Sequence, residues 1–240
     1  MRLAVLIDAD NAKADAISDL LAEVSKFGVA TVKRAYGDWT TTNLQGWKKQ
    51  LHKYAIQPMQ QFSYTRGKNS TDASMIIDGM DLLYTGNFDG FCIVSSDCDF
   101  TRLATRFREA GLSVYGFGEK KTPEPFVAAC DRFIFTEILG KGETQEKPAA
   151  TGKADESAAS KELLKLLRKA VAAVSGEDGW ASLSNLGSHI SKIRPSFDSR
   201  NYGYSKLSTL VKNLDIFETR MVPSADKLHT DVFLRLKDGK

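Results

Sequence analysis

Residues 3–12 read LAVLIDADNA, in which five apolar residues pass directly into Asp8. An unbroken apolar run of this length, closed by polar residues, is typical of a strand that is covered on both faces. Residues 91–100 repeat the pattern as FCIVSSDCDF, with Asp97 and Asp99 near the end. The two stretches predict buried parallel strands that are each followed by acidic residues.

Strand-like runs alternate with helical periodicity through the first 140 residues. Six runs predict strands, namely Leu3–Asp8, Ala30–Tyr36, Gln57–Tyr64, Gly90–Ser95, Ser113–Phe117 and Arg132–Thr136. Five segments predict helices, namely Ala16–Val24, Asn43–Tyr54, Thr71–Tyr84, Thr101–Ala110 and Pro123–Ala129. Because this alternation favours right-handed crossovers, we predict an α/β domain with a doubly wound, mostly parallel sheet over residues 1–140.

The composition changes after residue 140. Residues 141–159 contain no large apolar side chain and are rich in Gly, Ala, Lys, Glu and Thr, which predicts a flexible linker. Residues 160–240 predict three helices, the third over Tyr204–Leu214, and a hairpin, which together are typical of a small winged-helix-like α+β domain. The residues expected in its core are Trp180, Leu183, Leu186, Ile190, Leu207, Leu210, Val211, Leu214 and Phe217.

Charge and composition narrow the functional classes. Residues 161–240 carry 14 basic and 9 acidic residues, whereas residues 1–140 carry 16 and 17, so an anionic partner is expected for the second domain. The apolar runs are too short for a membrane span and the first strand begins too early for an export signal, so we expect a cytoplasmic protein. The three cysteines lack C-x-x-C spacing, which argues against a disulfide framework and a structural zinc site.

The aspartates are expected to meet at one edge of the sheet. Ligands of open α/β sheets bind beyond the carboxyl ends of the strands, where Asp8, Asp97 and Asp99 follow the first and fourth predicted strands. Asp72 lies at the start of the third predicted helix and borders its apolar face at 100° per residue. The residues that define this predicted face are Ala73, Ile76, Ile77, Met80 and Leu83. Asp72 can therefore lean toward the same edge.

Carboxylates gathered in this way repel one another unless a divalent cation neutralises them, and hard oxygen ligands favour Mg²⁺ or Mn²⁺. Such an ion can lower the pKa of a bound water and orient it for in-line attack on a phosphodiester. Taken singly, Asp10 and Asp72 are equally well explained as a turn former and a helix cap. Three further aspartates are expected in solvent, namely Asp78, Asp81 and Asp89.

Other side chains bear on the substrate and the mechanism. The histidines, His52, His189 and His229, do not accompany the acidic residues, so a Ser-His-Asp or Cys-His mechanism is unsupported. Lys68 and Trp39 lie in loops near the predicted edge, where an ammonium can hold a phosphate and an indole can stack on an unpaired base.

Three stretches resemble, in order and spacing, the NYN domain, a branch of the PIN-like nuclease superfamily: LIDADN at residues 6–11, GKNSTDASMIIDGMD at 67–81 and IVSSDCDFTRLATRFREAG at 93–111. The resemblance covers residues 1–138 and implies a metal-dependent ribonuclease. It implies that the metal-binding carboxylates are Asp8, Asp72, Asp97 and Asp99, and that Asn11 and Ser96 help to position water or ions.

Residues 179–218, from GWASLSNLG to LDIFE, resemble a LOTUS domain, also called OST-HTH. The resemblance implies RNA binding, including structured G-rich RNA, and in some relatives a helicase partner. Lys206 and Lys212 are expected on a recognition-type helix, while Arg200 and Tyr202 occupy the preceding loop and can meet phosphates and bases. Tyr202 is equally well explained as an aromatic that fixes this loop to the domain.

Two other functions remain open at this point. Asp8 and Asp10 form a D-x-D pair like that of haloacid dehalogenase-type phosphatases, although Ala12 stands where those enzymes have a threonine. A non-catalytic RNA-binding adaptor is the other alternative, because a PIN-like domain can keep its fold and lose its activity.

Overall fold

The computed structural model describes residues 1–62, 70–140, 155–223 and 230–237, without the side chains of 155–160. The chain divides into two compact units, Met1–Gly142 and Glu143–Lys240. None of the helices in the described part of the chain combines the length and apolarity that a membrane crossing needs.

The first unit contains a six-stranded sheet in the order β3-β2-β1-β4-β5-β6. Its strands are β1 (Arg2–Asp8), β2 (Val29–Gly37), β3 (Gln57–Gln60), β4 (Gly90–Val94), β5 (Ser113–Gly118) and β6 (Arg132–Phe135). All five neighbouring pairs are parallel, which confirms the predicted doubly wound α/β fold. β3 ends four residues before the predicted Tyr64, and residues 63–64 lie outside the described residues.

Helices cover both faces of this sheet. They are α1 (Ile17–Val24), α2 (Trp47–Tyr54), α3 (Ser70–Tyr84), α4 (Thr101–Glu109) and α5 (Glu124–Ala129). Along β1 the side chains alternate between two cores: Leu3, Val5 and Ile7 join one cluster, whereas Ala4 and Leu6 join the other. Because both faces of β1 are buried, its sequence is apolar without a break.

Helix α3 turns a face to the sheet that only partly matches the prediction: Ile76, Met80 and Leu83 pack against the core as predicted, but the most buried residues are others. Its buried residues are Thr71, Met75, Gly79 and Leu82, whereas Ala73 is exposed and Ile77 is 63% exposed. The helix packs closely at Gly79, where an added Cβ would lie 3.2 Å from Leu6 Cδ1. The prediction was based on apolar side chains and gave no weight to Gly79, which allows close packing. The predicted buried face is therefore rotated around the helix axis relative to the observed one.

The described residues of the second unit form three α-helices and a three-stranded antiparallel sheet in the order β7-β9-β8. The elements are α6 (Asp155–Val174), β7 (Ala181–Ser182), α7 (Leu183–Ile193), α8 (Leu207–Asn213), β8 (Phe217–Pro223) and β9 (Thr230–Leu236). This architecture fits the predicted winged-helix-like domain. Residues 155–159 are helical although they fell within the predicted linker, and residues 141–154 lie outside the described residues.

Trp180 was wrongly predicted to lie in the core of this unit. Ala181 points into that core, and side chains alternate along a strand, so its neighbour Trp180 faces the other side. There the indole is covered by two guanidinium groups, those of Arg220 at 4.2 Å and Arg235 at 4.9 Å from the ring centre. The other eight predicted core residues pack in or against the core cluster.

Candidate metal centre and nucleic-acid interface

The candidate site lies where the strand order reverses. β1 has β2 on one side and β4 on the other, and the crossovers that follow the two strands cover opposite faces. Open α/β sheets bind their ligands at this switch point, outside the carboxyl ends of the strands. Asp8 is the last residue of β1, and Asp97 comes three residues after the end of β4. The topology therefore brings these two aspartates to neighbouring strand ends, as predicted.

A serine connects the two strand ends. Ser95 Oγ donates to Asp8 Oδ2 at 2.7 Å and accepts from the backbone N–H of Asp97 at 3.0 Å. Ser95 and Asp8 are both almost fully buried, at 2% and 1% exposure. The serine thus fixes the carboxylate of β1 against the loop that carries the next acidic pair.

Asp8 occupies an environment that disfavours its charge. Burial raises the pKa of its carboxyl, and the negative charge of Asp10 raises it further, whereas hydrogen bonds from Ser95 and Asn11 lower it. The backbone N–H of Asn11 also lies 3.3 Å from Asp8 Oδ1. Asn11 is therefore placed to orient Asp8, a role different from the positioning of water or ions that the resemblance implied.

Asp72 shows that the carboxylates share one electrostatic field. Its pKa is raised to about 6, first by burial and then by the negative charges of Asp8, Asp97, Asp99 and Asp10. Helix α3 contacts β1 and the turn Cys98–Phe100 that follows β4. That Asp72 leans toward the same sheet edge stays a prediction.

Asp97 and Asp99 form a compact pair after β4. Asp97 Oδ1 accepts from the backbone N–H of Asp99 at 3.0 Å, which caps the short 3₁₀ turn Cys98–Phe100. Among the described residues, one group of potential metal ligands lies within 4.8 Å of one another, and it consists of Asp97, Cys98 and Asp99. Asp8 and Asp72 contribute to the field but lie outside that group.

The donor set fits a hard divalent cation. Carboxylate oxygens suit Mg²⁺ or Mn²⁺, whereas the single exposed thiol of Cys98 is too little for a soft-metal site. Burial raises the pKa of Asp72, the neighbouring carboxylates raise it further, and a divalent cation would relieve that second, repulsive contribution.

The sequence missed Ser95 and misjudged Asp78. Ser96, named by resemblance, instead accepts at Oγ from the backbone N–H of Glu119 at 2.9 Å. Asp78 is not in solvent: it forms an ion pair with Arg34 and accepts a hydrogen bond from the Tyr36 hydroxyl. The rotated face of α3 explains this error, because that rotation turns Asp78 toward β2.

Of the two residues predicted to contact RNA in the first unit, the structure describes Trp39. Trp39 is half-buried against the core, and its indole Nε1 donates to the carbonyl of Met59 at 3.0 Å. Lys68 lies outside the described residues.

In the second unit, Lys206 is the N-cap residue of α8 rather than part of it, and Lys212 lies in its last turn; both are exposed. Arg200 is bidentate to Asp198, with N–O distances of 3.0 and 2.7 Å. Tyr202 is half-buried and its ring packs 5.9 Å from that of Phe197. The side chains of Lys206 and Lys212 are therefore more accessible to an anionic partner than those of Arg200 and Tyr202.

The fold and site define a PIN-like α/β domain with an acidic centre at its switch point, joined to a winged-helix-like domain. The NYN domain matches residues 2–139, and the OST-HTH/LOTUS domain matches residues 157–229. The chain belongs to the NYN domain family and carries a LOTUS domain after it. These are a nuclease family and an RNA-binding domain, which supports a ribonuclease or RNA-associated role. No curated protein matches the chain.

Solved structures provide more distant comparisons. A protein of unknown function from Vibrio parahaemolyticus RIMD 2210633 is 16% identical, with a TM-score of 0.46, over 55% of this chain and 90% of that one. An uncharacterized protein from Nitrosomonas europaea is 30% identical, with a TM-score of 0.31, over 42% and 89%. A fragment from Chromobacterium violaceum is 35% identical, with a TM-score of 0.28, over 32% and 83%.

Proposed function

We propose that this protein is a metal-dependent ribonuclease that hydrolyses RNA phosphodiester bonds and recruits RNA through its LOTUS domain. The observation that supports it most is the hydrogen bonding of Ser95, because it joins Asp8 at the end of β1 to the loop that carries Asp97 and Asp99. A nuclease assay on several RNAs with Mg²⁺, Mn²⁺ or EDTA tests the proposal. RNA binding without cleavage would favour an adaptor, and a phosphate trapped covalently on Asp8 would favour a phosphatase.

Each residue of the centre has a role in this proposal. Asp8, Asp72, Asp97 and Asp99 would hold Mg²⁺ or Mn²⁺. Such an ion, when bound, would supply an activated water at neutral pH and charge stabilisation of the leaving oxygen. Asn11 and Ser95 hold the Asp8 carboxylate in place through their hydrogen bonds. The protein supplies no covalent nucleophile in this proposal.

A divalent cation should stabilise the first unit. Ion binding adds about 2.7 kcal/mol to the free energy of unfolding when the free ion is about a hundredfold above its Kd. We expect calorimetry of the full chain to show a higher Tm in Mg²⁺ or Mn²⁺ than in EDTA at matched ionic strength. Asp97→Asn should reduce this gain, whereas Asp81→Asn, on the exposed side of α3, should keep it. An equal gain in both variants would argue against these carboxylates as ligands.

The second domain should bind RNA in a salt-dependent way. Contacts between lysines and phosphates release counterions, so the affinity of residues 155–240 should fall steeply with added salt. Lys206→Ala and Lys212→Ala should each make that slope shallower, by about 0.7 for single-stranded RNA. Fluorescence anisotropy measures the slope, and circular dichroism checks that the fragment is folded. Binding that does not depend on salt, or no binding, would favour a protein-docking role such as a helicase contact.

A further inference from the structure

A pair of lysines shares one carboxylate at the sheet edge that carries the acidic centre. Lys13 Nζ lies 2.8 Å from Glu119 Oε1, and Lys121 Nζ lies 2.8 Å from Glu119 Oε2. Lys13 belongs to the loop after β1, and Glu119 directly follows β5, so loops from two strand ends meet on this glutamate. The two ammonium groups lower the pKa of Glu119 to about 2, which keeps the pairs intact at neutral pH.

The lysine pair is tied to the loop that carries Asp97. The backbone N–H of Glu119 donates to Ser96 Oγ, and Ser96 immediately precedes Asp97. The preceding residue, Gly118, packs so closely that an added Cβ would lie 2.6 Å from the carbonyl oxygen of Ser95. The turn that contains Lys121 therefore packs directly against the residues that follow β4, where the acidic centre lies.

Both ammonium groups are available to a ligand. The side chains of Lys13 and Lys121 are 77% and 70% exposed, whereas that of Glu119 is 23% exposed. An ammonium has three donors, and the bond to Glu119 uses one of them. The lysine pair and Glu119 together carry one net positive charge, although the carboxylate of Glu137 also acts on Lys13. Compact ammonium groups of this kind bind phosphates as point charges.

We propose that Lys13 and Lys121 form a phosphate-binding site for single-stranded RNA, with Glu119 holding them at the rim of the acidic centre. The inference rests on the proposed nuclease function, since it assigns the site to the strand being cut. Phosphates next to the scissile bond would be held by these lysines, away from the repulsive field of Asp97 and Asp99. The positive charge of the two lysines would offset the repulsion between the phosphates of the RNA and the carboxylates of the centre.

The test measures binding without cleavage. The full chain is titrated against a fluorescent single-stranded RNA 12-mer in EDTA at several salt concentrations, and the slope of log affinity against log salt is compared between variants. The double variant Lys13→Ala with Lys121→Ala should make the slope shallower by about 1.4, because each lost contact contributes about 0.7. Replacing both lysines by arginine should keep the wild-type slope, because the positive charges remain. A slope that stays shallow in the arginine variant would indicate that the loop had lost its structure.

Lys26→Ala is the matched control. Lys26 also pairs with a glutamate at 2.8 Å and is 60% exposed, but it follows α1 at the opposite edge of the sheet. An unchanged slope in the double variant, or an equal change in Lys26→Ala, would overturn the phosphate site even if the protein cuts RNA. A shallower slope in the double variant alone, with no cleavage by the wild type under any metal condition, would keep the site and remove the nuclease proposal.

Cleavage kinetics provide a second readout. In Mn²⁺, the double alanine variant should raise KM and leave kcat nearly unchanged, because the lysines bind the strand equally in the ground state and the transition state. A fall in kcat at unchanged KM would contradict a role in binding.

Discussion

Asp97→Asn should reduce RNA cleavage at least about 10³-fold, since a lost ligand removes several kcal/mol of metal-derived stabilisation of the transition state. The fold should survive, because the Asn side-chain oxygen can still accept from the backbone N–H of Asp99 as Asp97 does. The measurement is kcat/KM on a single-stranded RNA, with circular dichroism to confirm that the variant is folded.

Asp81→Asn is the appropriate control for that experiment. Asp81 is exposed on α3, the helix that also carries Asp72. Cleavage by this variant should stay within about twofold of wild type, because Asp81 is outside the acidic centre. Surface substitutions of this kind also usually change stability by less than about 0.5 kcal/mol. Full activity in Asp97→Asn would remove the acidic centre as the site of chemistry.

Asp78→Ala should destabilise the first unit by about 2–4 kcal/mol, because it leaves the partly buried Arg34 and the buried Tyr36 without their shared acceptor. The Arg34 and Asp78 side chains are only 23% and 19% exposed, and the Tyr36 hydroxyl donates to the same carboxylate. Burial and the charge of Asp78 raise the pKa of Tyr36, so its hydroxyl remains protonated and continues to donate.

Urea denaturation measures this loss as a lower transition midpoint. Asp81→Ala, on the exposed side of the same helix, should stay within about 0.5 kcal/mol of wild type. Equal stability of the two variants would show that the contact between α3 and β2 contributes little.

The sequence by itself determined the order of elements and the positions of most acidic residues. The apolar run of β1 and the repeat in β4 predicted two buried parallel strands, and both are present. Strand ends in such a sheet meet at one edge whatever the detailed packing, so Asp8, Asp97 and Asp99 could be placed from periodicity alone. The local hydrophobic pattern is therefore sufficient to predict features that depend only on the backbone topology, such as which strand ends lie at the same edge of the sheet.

Only the tertiary structure decided which polar side chains have partners. Asp78 and Trp180 were misplaced because one turns toward Arg34 on a distant strand and the other is covered by Arg220. Ser95 was missed because its role depends on Asp8, which is 87 residues away. The energy of a buried polar group is set by a partner from elsewhere in the chain, and hydrophobic periodicity carries no information about that partner.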